Sequence, residues 1–298
     1  MTRGSVIKAR EHDLGHGLMV SRSLPTGQRR MVGPFIFWDH AGPVVLDPAL
    51  KGQQDVRPHP HIGLSTLSYL LRGAIMHRDN LGCEQLIRPG EVNWMTAGRG
   101  VVHSERFEDP SAYTRPGVEL LQSWVALPVE QEEIEPSFTH HATAQLPETE
   151  QPGVRVRLVA GTAMGMKSPV TTYSPLFYLH VRLGPGAEFR LPAEYSERAA
   201  YVVHGRITIG PDSTAHAVRE MIVFDDREEI LVRALEDAEV MFLGGEPLGR
   251  RYIWWNFVSS RRERIREAAA DWQAGRFPLP ASDNKEFTPL PDRPLPKA

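Results

Sequence analysis

Hydrophobic positions along the chain fall mostly into short runs with a period of two. Val154, Val156 and Leu158 alternate with Arg155 and Arg157, and Phe177, Leu179, Val181 and Leu183 alternate with Tyr178, His180 and Arg182. Successive side chains of a strand point to opposite faces, so this alternation predicts half-buried strands. Phe35-Ile36-Phe37-Trp38, Leu64 to Leu71 and Val118 to Leu127 are more continuous runs and predict further strands. Turn residues punctuate them at Asn80-Leu81-Gly82, Pro89-Gly90, Gly184-Pro185-Gly186 and Gly210-Pro211-Asp212. Many short strands with frequent turns predict an all-β barrel or sandwich.

One helix is predicted near the end. Ser260 and Glu263 have capping-box spacing, Ile265, Ala268, Ala269 and Trp272 share one face, and Gly275 stands where a C-terminal cap belongs. The arginines between Arg261 and Arg266 are assigned to its solvated face. Pro278 to Ala298 is rich in proline and predicts an extended tail laid over the surface.

Two stretches repeat. Ser68-Tyr69-Leu70-Leu71-Arg72-Gly73 returns as Ala200-Tyr201-Val202-Val203-His204-Gly205, and Glu91-Val92-Asn93-Trp94 matches Met221-Ile222-Val223-Phe224 at nearly the same offset. Two matches in register predict two copies of one β domain. The acidic, proline-marked stretch from Pro128 to Pro152 is the expected connector. It divides the chain into a first domain over residues 1–135 and a second over 136–298 that carries the helix and tail. A length of 298 residues agrees with two domains of ordinary size.

Composition narrows the function classes. An apolar fraction of 41% and a charged fraction of 24% are those of a soluble globular protein. A formal net charge of -3 leaves no basic surplus to hold a phosphate backbone, so no direct nucleic-acid partner is expected. No run approaches the ~20 apolar residues that span a bilayer, and none follows Met1 to Arg10 to make a secretion signal, so no membrane role is expected. Cys83 is the single cysteine, which excludes an intramolecular disulfide and points to a reducing cytoplasm. Cys83 itself is expected to be a core or turn residue and not a redox sensor.

Candidate chemistry lies in two pairs with i, i+2 spacing. His59 and His61 stand in Arg57-Pro58-His59-Pro60-His61, and His103 and Glu105 in Val101-Val102-His103-Ser104-Glu105, behind Gly98 and Gly100. On a strand each pair points to one face, so neighbouring strands would bring three imidazoles and a carboxylate together. That donor set suits a divalent first-row metal, with two positions of an octahedral ion left open. Protonation of the histidines is expected to release such a metal in mild acid. His77 could line the barrel, with a polar strand residue as the preferred account, and His140 and His141 are assigned as a solvated pair. Phe35, Phe37, Trp38, Trp94 and Met95 are candidate pocket walls, with core packing as the simpler account of each.

Gly33-Pro34-Phe35, Arg57-Pro58-His59-Pro60-His61-Ile62-Gly63 and the long string from Asn93 to Glu105 resemble the signatures of the pirin family. Gly244-Gly245-Glu246-Pro247-Leu248, Trp254-Trp255-Asn256-Phe257 and Ala274-Gly275-Arg276-Phe277 are similar to its bacterial members. The resemblance runs over nearly the whole chain. It implies two tandem cupin (double-stranded β-helix, jelly-roll) barrels, with iron in the N-terminal one on His59, His61, His103 and Glu105. Fe(II) is the metal implied, although Ni, Mn, Cu or Zn fits the same ligands. In the wider cupin pattern a glutamate follows the H-x-H pair. Here Ser65 and Thr66 hold those positions, and Glu105 supplies the carboxylate in the pirin-like manner. Under the internal repeat, Leu191 and Ala193 align with His59 and His61, and Arg233 and Leu235 fall near the later ligands, so the second barrel is expected to be metal-free.

The resemblance also implies an activity. Members are associated with quercetin 2,3-dioxygenase chemistry, which would give this chain a flavonol-like aromatic substrate and dioxygen, with Glu105 as the catalytic base. A non-enzymatic redox-responsive regulator that binds a partner protein is the alternative, and another cupin reaction is a third reading. Fold alone does not choose among them. A monomer is the expected state.

Overall fold

The alternating stretches are strands, and they are shared between two compact units in a computed structural model that describes residues 4–296. One unit takes Glu11–Val20, Asp39–Thr143 and the chain from Leu248 onward. The other takes the chain up to Arg10, Ser21–Trp38 and Ala144–Pro247.

The first of these carries β1 (Val56–His61), β2 (Leu64–Arg72), β3 (Ile75–Asp79), β4 (Glu84–Ile87), β5 (Val92–Thr96), β6 (Val101–Arg106), β7 (Val118–Ala126) and β8 (Ser137–His141). A four-stranded sheet runs in the order β1-β6-β3-β4. A second sheet runs β8-β5-β2-β7 and continues to the strand Phe35–Val44, whose Asp39–Val44 part belongs to this unit. Side chains of the two sheets meet between them. Ser68 of β2 bonds to Glu105 of β6, and Phe138 of β8 stacks on His77 of β3. The result is a jelly-roll barrel with polar groups in its interior.

The other unit repeats the plan with β9 (Val154–Ala163), β10 (Leu176–Leu183), β11 (Glu197–His204), β12 (Glu220–Phe224) and β13 (Ala238–Gly245). Its main sheet runs β12-β11-β13-β10-β9, and a three-stranded sheet joins Glu188–Leu191, Ile230–Ala234 and Ile207–Ile209. Its interior is apolar, filled by Leu179, Val181, Val202 and Phe242 among others. Along β10 the alternation holds, yet Tyr178 and His180 on the opposite face are buried too, with Tyr178 against Phe35 and Trp38. The internal repeat is structural. β2 lies between β5 and β7 as β11 lies between β12 and β13. Both strands end at a left-handed glycine, Gly73 or Gly205, where backbone of a neighbouring segment fills the place of a Cβ.

Helix α1 (Arg262–Gln273) buries Ile265, Ala268, Ala269 and Trp272 as its periodicity predicts. Gly275 closes it in the left-handed region, with the Arg276 amide donating to the Asp271 carbonyl. The capping box does not form. Ser260 gives its amide and hydroxyl to Glu132, and the N-cap Arg261 provides no side-chain cap. Of the arginines Arg261 is exposed as expected, but Arg264 is buried on Glu133 and the Arg99 carbonyl, Arg262 lies over Tyr252, and Arg266 bonds the Pro296 carbonyl. The helix and tail group with the β1–β8 barrel, not with the second-domain segment 136–298. The physical reason is packing, because the apolar face of α1 shares a core with Ile62 and Val102.

The tail is extended, as its prolines predict, and it is tied down along its described length. Ser104 and Arg106 of β6 hold Asp283, the Thr288 amide donates to the Pro58 carbonyl, and Trp254 Nε1 donates to the Pro294 carbonyl. The last two residues of the predicted tail lie outside the described residues, as do the first three of the chain. Among the described residues no helix is long and apolar enough to cross a membrane.

Candidate metal centre

β1 is the edge strand of its sheet, which suits a strand whose Pro58 and Pro60 have no amide hydrogen to donate. Among the described residues its ladder partner is β6, and the register sets His59 opposite His103. On the far side of β6, His103 faces Asp79 and Glu105 faces His77. Directly opposed residues of antiparallel strands share a face, so His59, His61, His103, Glu105, His77 and Asp79 all point into the barrel. Gly98 makes the turn into β6 possible. Its φ is +51°, and the Ile134 carbonyl sits where a side chain would begin.

Three of the four predicted residues, His59, His61 and His103, come together, and the Glu105 carboxylate is not part of their cluster. One nitrogen from each of His59, His61 and His103 lies within 4.8 Å of the others, and the ring centroids are 4.5–5.1 Å apart. All three rings are buried. His59 Nδ1 donates to the Arg57 carbonyl at 2.8 Å and His61 Nδ1 to the Asn256 carbonyl at 3.1 Å. His103 Nδ1 lies 3.3 Å from His77 Nδ1. With Nδ1 engaged, Nε2 is the atom left to bind a cation. His103 Nε2 is buried without a hydrogen-bond partner in the protein, which is the kind of orphan a bound ion satisfies.

Electrostatics favour the neutral, ligating form. Burial lowers His59 to about 4, opposed by its bond to the Arg57 carbonyl. Burial also drives His61 and His103 well below the ordinary imidazole value, with the neighbouring histidines adding to the effect. Glu105 moves the other way, raised by burial against the pull of His77 and the Ser68 hydrogen bond. Glu105 lies opposite His77 on β3, and Ser68 Oγ approaches its Oε1 at 3.3 Å and Gln122 Oε1 at 2.7 Å. Three neutral imidazoles present lone pairs to one point. The residues therefore fit a divalent metal.

Some functional neighbours escaped the sequence reading. His77 is not a plain polar strand residue, because it contacts His103 on one side and Asp79 Oδ2 at 2.9 Å on the other. The signal is present, since His77-Arg78-Asp79 has the same i, i+2 spacing as the two candidate pairs. Trp124 of β7 packs edge-on to His61 with centroids 5.0 Å apart and was not singled out at all. Phe35, Phe37 and Trp38 belong instead to the other unit, while Met95 packs with Val101 and Phe138. His140 is no solvated residue, because its Nδ1 bonds Asn93 Oδ1 at 2.8 Å. In the second barrel Leu191, aligned with His59, is buried in the apolar core.

Two jelly-roll barrels in one chain, one of them enclosing a three-histidine cluster, define a bicupin with a cupin-type metal site. Residues 17–125 match the pirin family model, and residues 178–278 match the model of the pirin C-terminal cupin domain. The chain belongs to the pirin family. A pirin-like protein of Caulobacter vibrioides is 53% identical over 288 residues, covering 96% of this chain and 99% of that one. A crystal structure of quercetin 2,3-dioxygenase from Acinetobacter baumannii superposes with a TM-score of 0.89 at 32% identity, covering 99% and 97% of the two chains. A bacterial pirin from Escherichia coli, crystallised with nickel(II), shares the fold with a TM-score of 0.64 at 19% identity, covering 82% and 99%.

Proposed function

We propose that this protein is a metal-dependent oxygenase of the quercetin 2,3-dioxygenase type, acting on flavonol-like compounds with dioxygen, and that His59, His61, His103 and Glu105 hold its metal. One observation carries the reading: three buried imidazoles whose Nδ1 atoms are engaged are gathered inside one barrel, with a carboxylate on the same face. Fe(II) is the first choice. Nickel, which the Escherichia coli pirin binds, is an alternative, as are Mn, Cu and Zn, because the donors are common to all of them. The similarity to the Acinetobacter enzyme supports the flavonol class.

When bound, the metal supplies Lewis-acid polarisation of a flavonol oxygen and the capacity to react with dioxygen. Glu105 is the proposed base, taking the flavonol hydroxyl proton onto a carboxylate oxygen. Burial raises its proton affinity, which brings it closer to that of the hydroxyl and makes the transfer less uphill. Ser68 steadies the carboxylate. Trp124 against His61 and Phe138 against His77 line the site with rings that limit water. A cytoplasmic location, resting on the single cysteine, and a monomeric state, open to light scattering, complete the proposal.

The test is anaerobic purification, metal analysis and oxygen uptake with a flavonol, for wild type beside His59→Ala. Stoichiometric iron and oxygen uptake that both vanish in the variant support the dioxygenase. Bound iron without turnover moves the reading to a redox-responsive regulator that binds a partner protein.

A further inference from the structure

His59 and His61 have their tautomers fixed by backbone. A carbonyl only accepts, so both Nδ1 atoms carry the hydrogen and both Nε2 atoms keep a bare lone pair. His103 is different, because its Nδ1 partner is another imidazole nitrogen that can donate or accept. If His77 donated, His103 Nδ1 would be the acceptor and its hydrogen would sit on Nε2, the ligating atom.

Asp79 decides between the two arrangements. Its Oδ2 lies 2.9 Å from His77 Nε2, and a carboxylate only accepts, so the hydrogen of a neutral His77 belongs on Nε2. His77 Nδ1 is then the acceptor, His103 Nδ1 the donor, and His103 Nε2 is bare. The carboxylate is not free to turn, because Oδ1 accepts from the amides of Leu81 and Cys83 at 2.9 and 3.0 Å. Asp79 is 2% exposed, and Phe138 stacks on the His77 ring with centroids 4.4 Å apart at 19°.

We propose that Asp79 and His77 are positioning residues that hold His103 in its metal-ligating tautomer, through the chain Asp79 Oδ2, His77, His103 Nδ1. The inference rests on the metal reading for its purpose, but the tautomer itself is a property of the metal-free protein. Partners of this kind that orient a ligating histidine typically contribute 10–100-fold in metal affinity.

Asp79→Asn gives the sharpest test. An amide has one oxygen, which the Leu81 and Cys83 amides retain, so its NH₂ turns to His77 Nε2 and reverses both hydrogen bonds. In two-bond proton–nitrogen spectra of ¹⁵N-histidine-labelled, metal-free protein, His103 is expected in the Nδ1–H form in wild type and the Nε2–H form in Asp79→Asn. In His77→Phe, which keeps a ring against Phe138, His103 is expected to populate both forms. Cobalt(II) affinity, read by chelator competition, should fall about 10–100-fold in Asp79→Asn with secondary structure unchanged by circular dichroism. A wild-type His103 already protonated at Nε2 overturns the proposal without any variant, as does unchanged tautomer and affinity in both variants. Wild type that shows the Nδ1–H form yet binds no cobalt removes the metal reading and leaves the tautomer relay standing.

Discussion

Burial acts on the acid and the bases of this site in opposite senses. It removes charge from both, so it lowers His59 to about 4 and raises Glu105. In the metal-free protein, an unfolded chain with ordinary histidines binds more protons between about pH 6.5 and 4 than the folded one. Stability is therefore fully present above pH 6.5 and is lost as pH falls toward 4, with His61 and His103 adding in the same direction. Urea midpoints of metal-free protein at pH 7 and pH 5 should show this fall, on the order of 1 kcal/mol per pH unit for each histidine, and His59→Asn should reduce the slope by the share of one histidine. The same burial changes the expectation of metal release in mild acid, since His59 in the folded state resists protonation until about pH 4. Glu105→Gln should retain cobalt with reduced affinity and lower flavonol turnover by about 10²–10⁴-fold, measured at matched metal occupancy; unchanged turnover would remove Glu105 as the base.

At the scale of elements, α1 is held by tertiary contact more than by its own ends. Trp272 shares a core with Ile62, next to the proposed ligand His61, and Trp272→Ala should destabilise the protein by about 3–5 kcal/mol in denaturant titrations. The helix face was legible because its period is local. Its start was misread because Ser260 answers to Glu132, a residue 128 positions away that no local pattern reveals. The strands show the same division. The i, i+2 spacing of His59 with His61 and of His103 with Glu105 was readable, whereas the order β1-β6-β3, which brings His77 and Asp79 alongside, belongs to the tertiary pairing. Asp79 also sits at a turn signal, where an aspartate that bonds nearby amides attracts no further question.

For the molecule as a whole, the repeat correctly announced two barrels, but a single cut through the connector does not reproduce the compact units. Strands Met19–Leu24 and Phe35–Val44 each pass from one unit to the other, and the segment after Leu248 returns to the unit that holds the histidines. Sequence similarity between copies reports which strands correspond and is silent on where the flanking segments pack. A fragment of residues 1–135 should accordingly fail to bind cobalt and give a non-cooperative thermal transition by circular dichroism, because it lacks α1 and the carbonyl of Asn256. His61 Nδ1 has its acceptor at Asn256, and the strand bearing His59 is hooked by Thr288 through Pro58. On the ribosome these anchors emerge some 200 residues after the histidines they serve, at the ordinary pace of about 5–20 residues per second. For ten seconds or more the nascent chain thus carries its three histidines without the means to aim them, so under the proposed metal reading a cation is held in its final geometry only once the segment beyond Asn256 has been made.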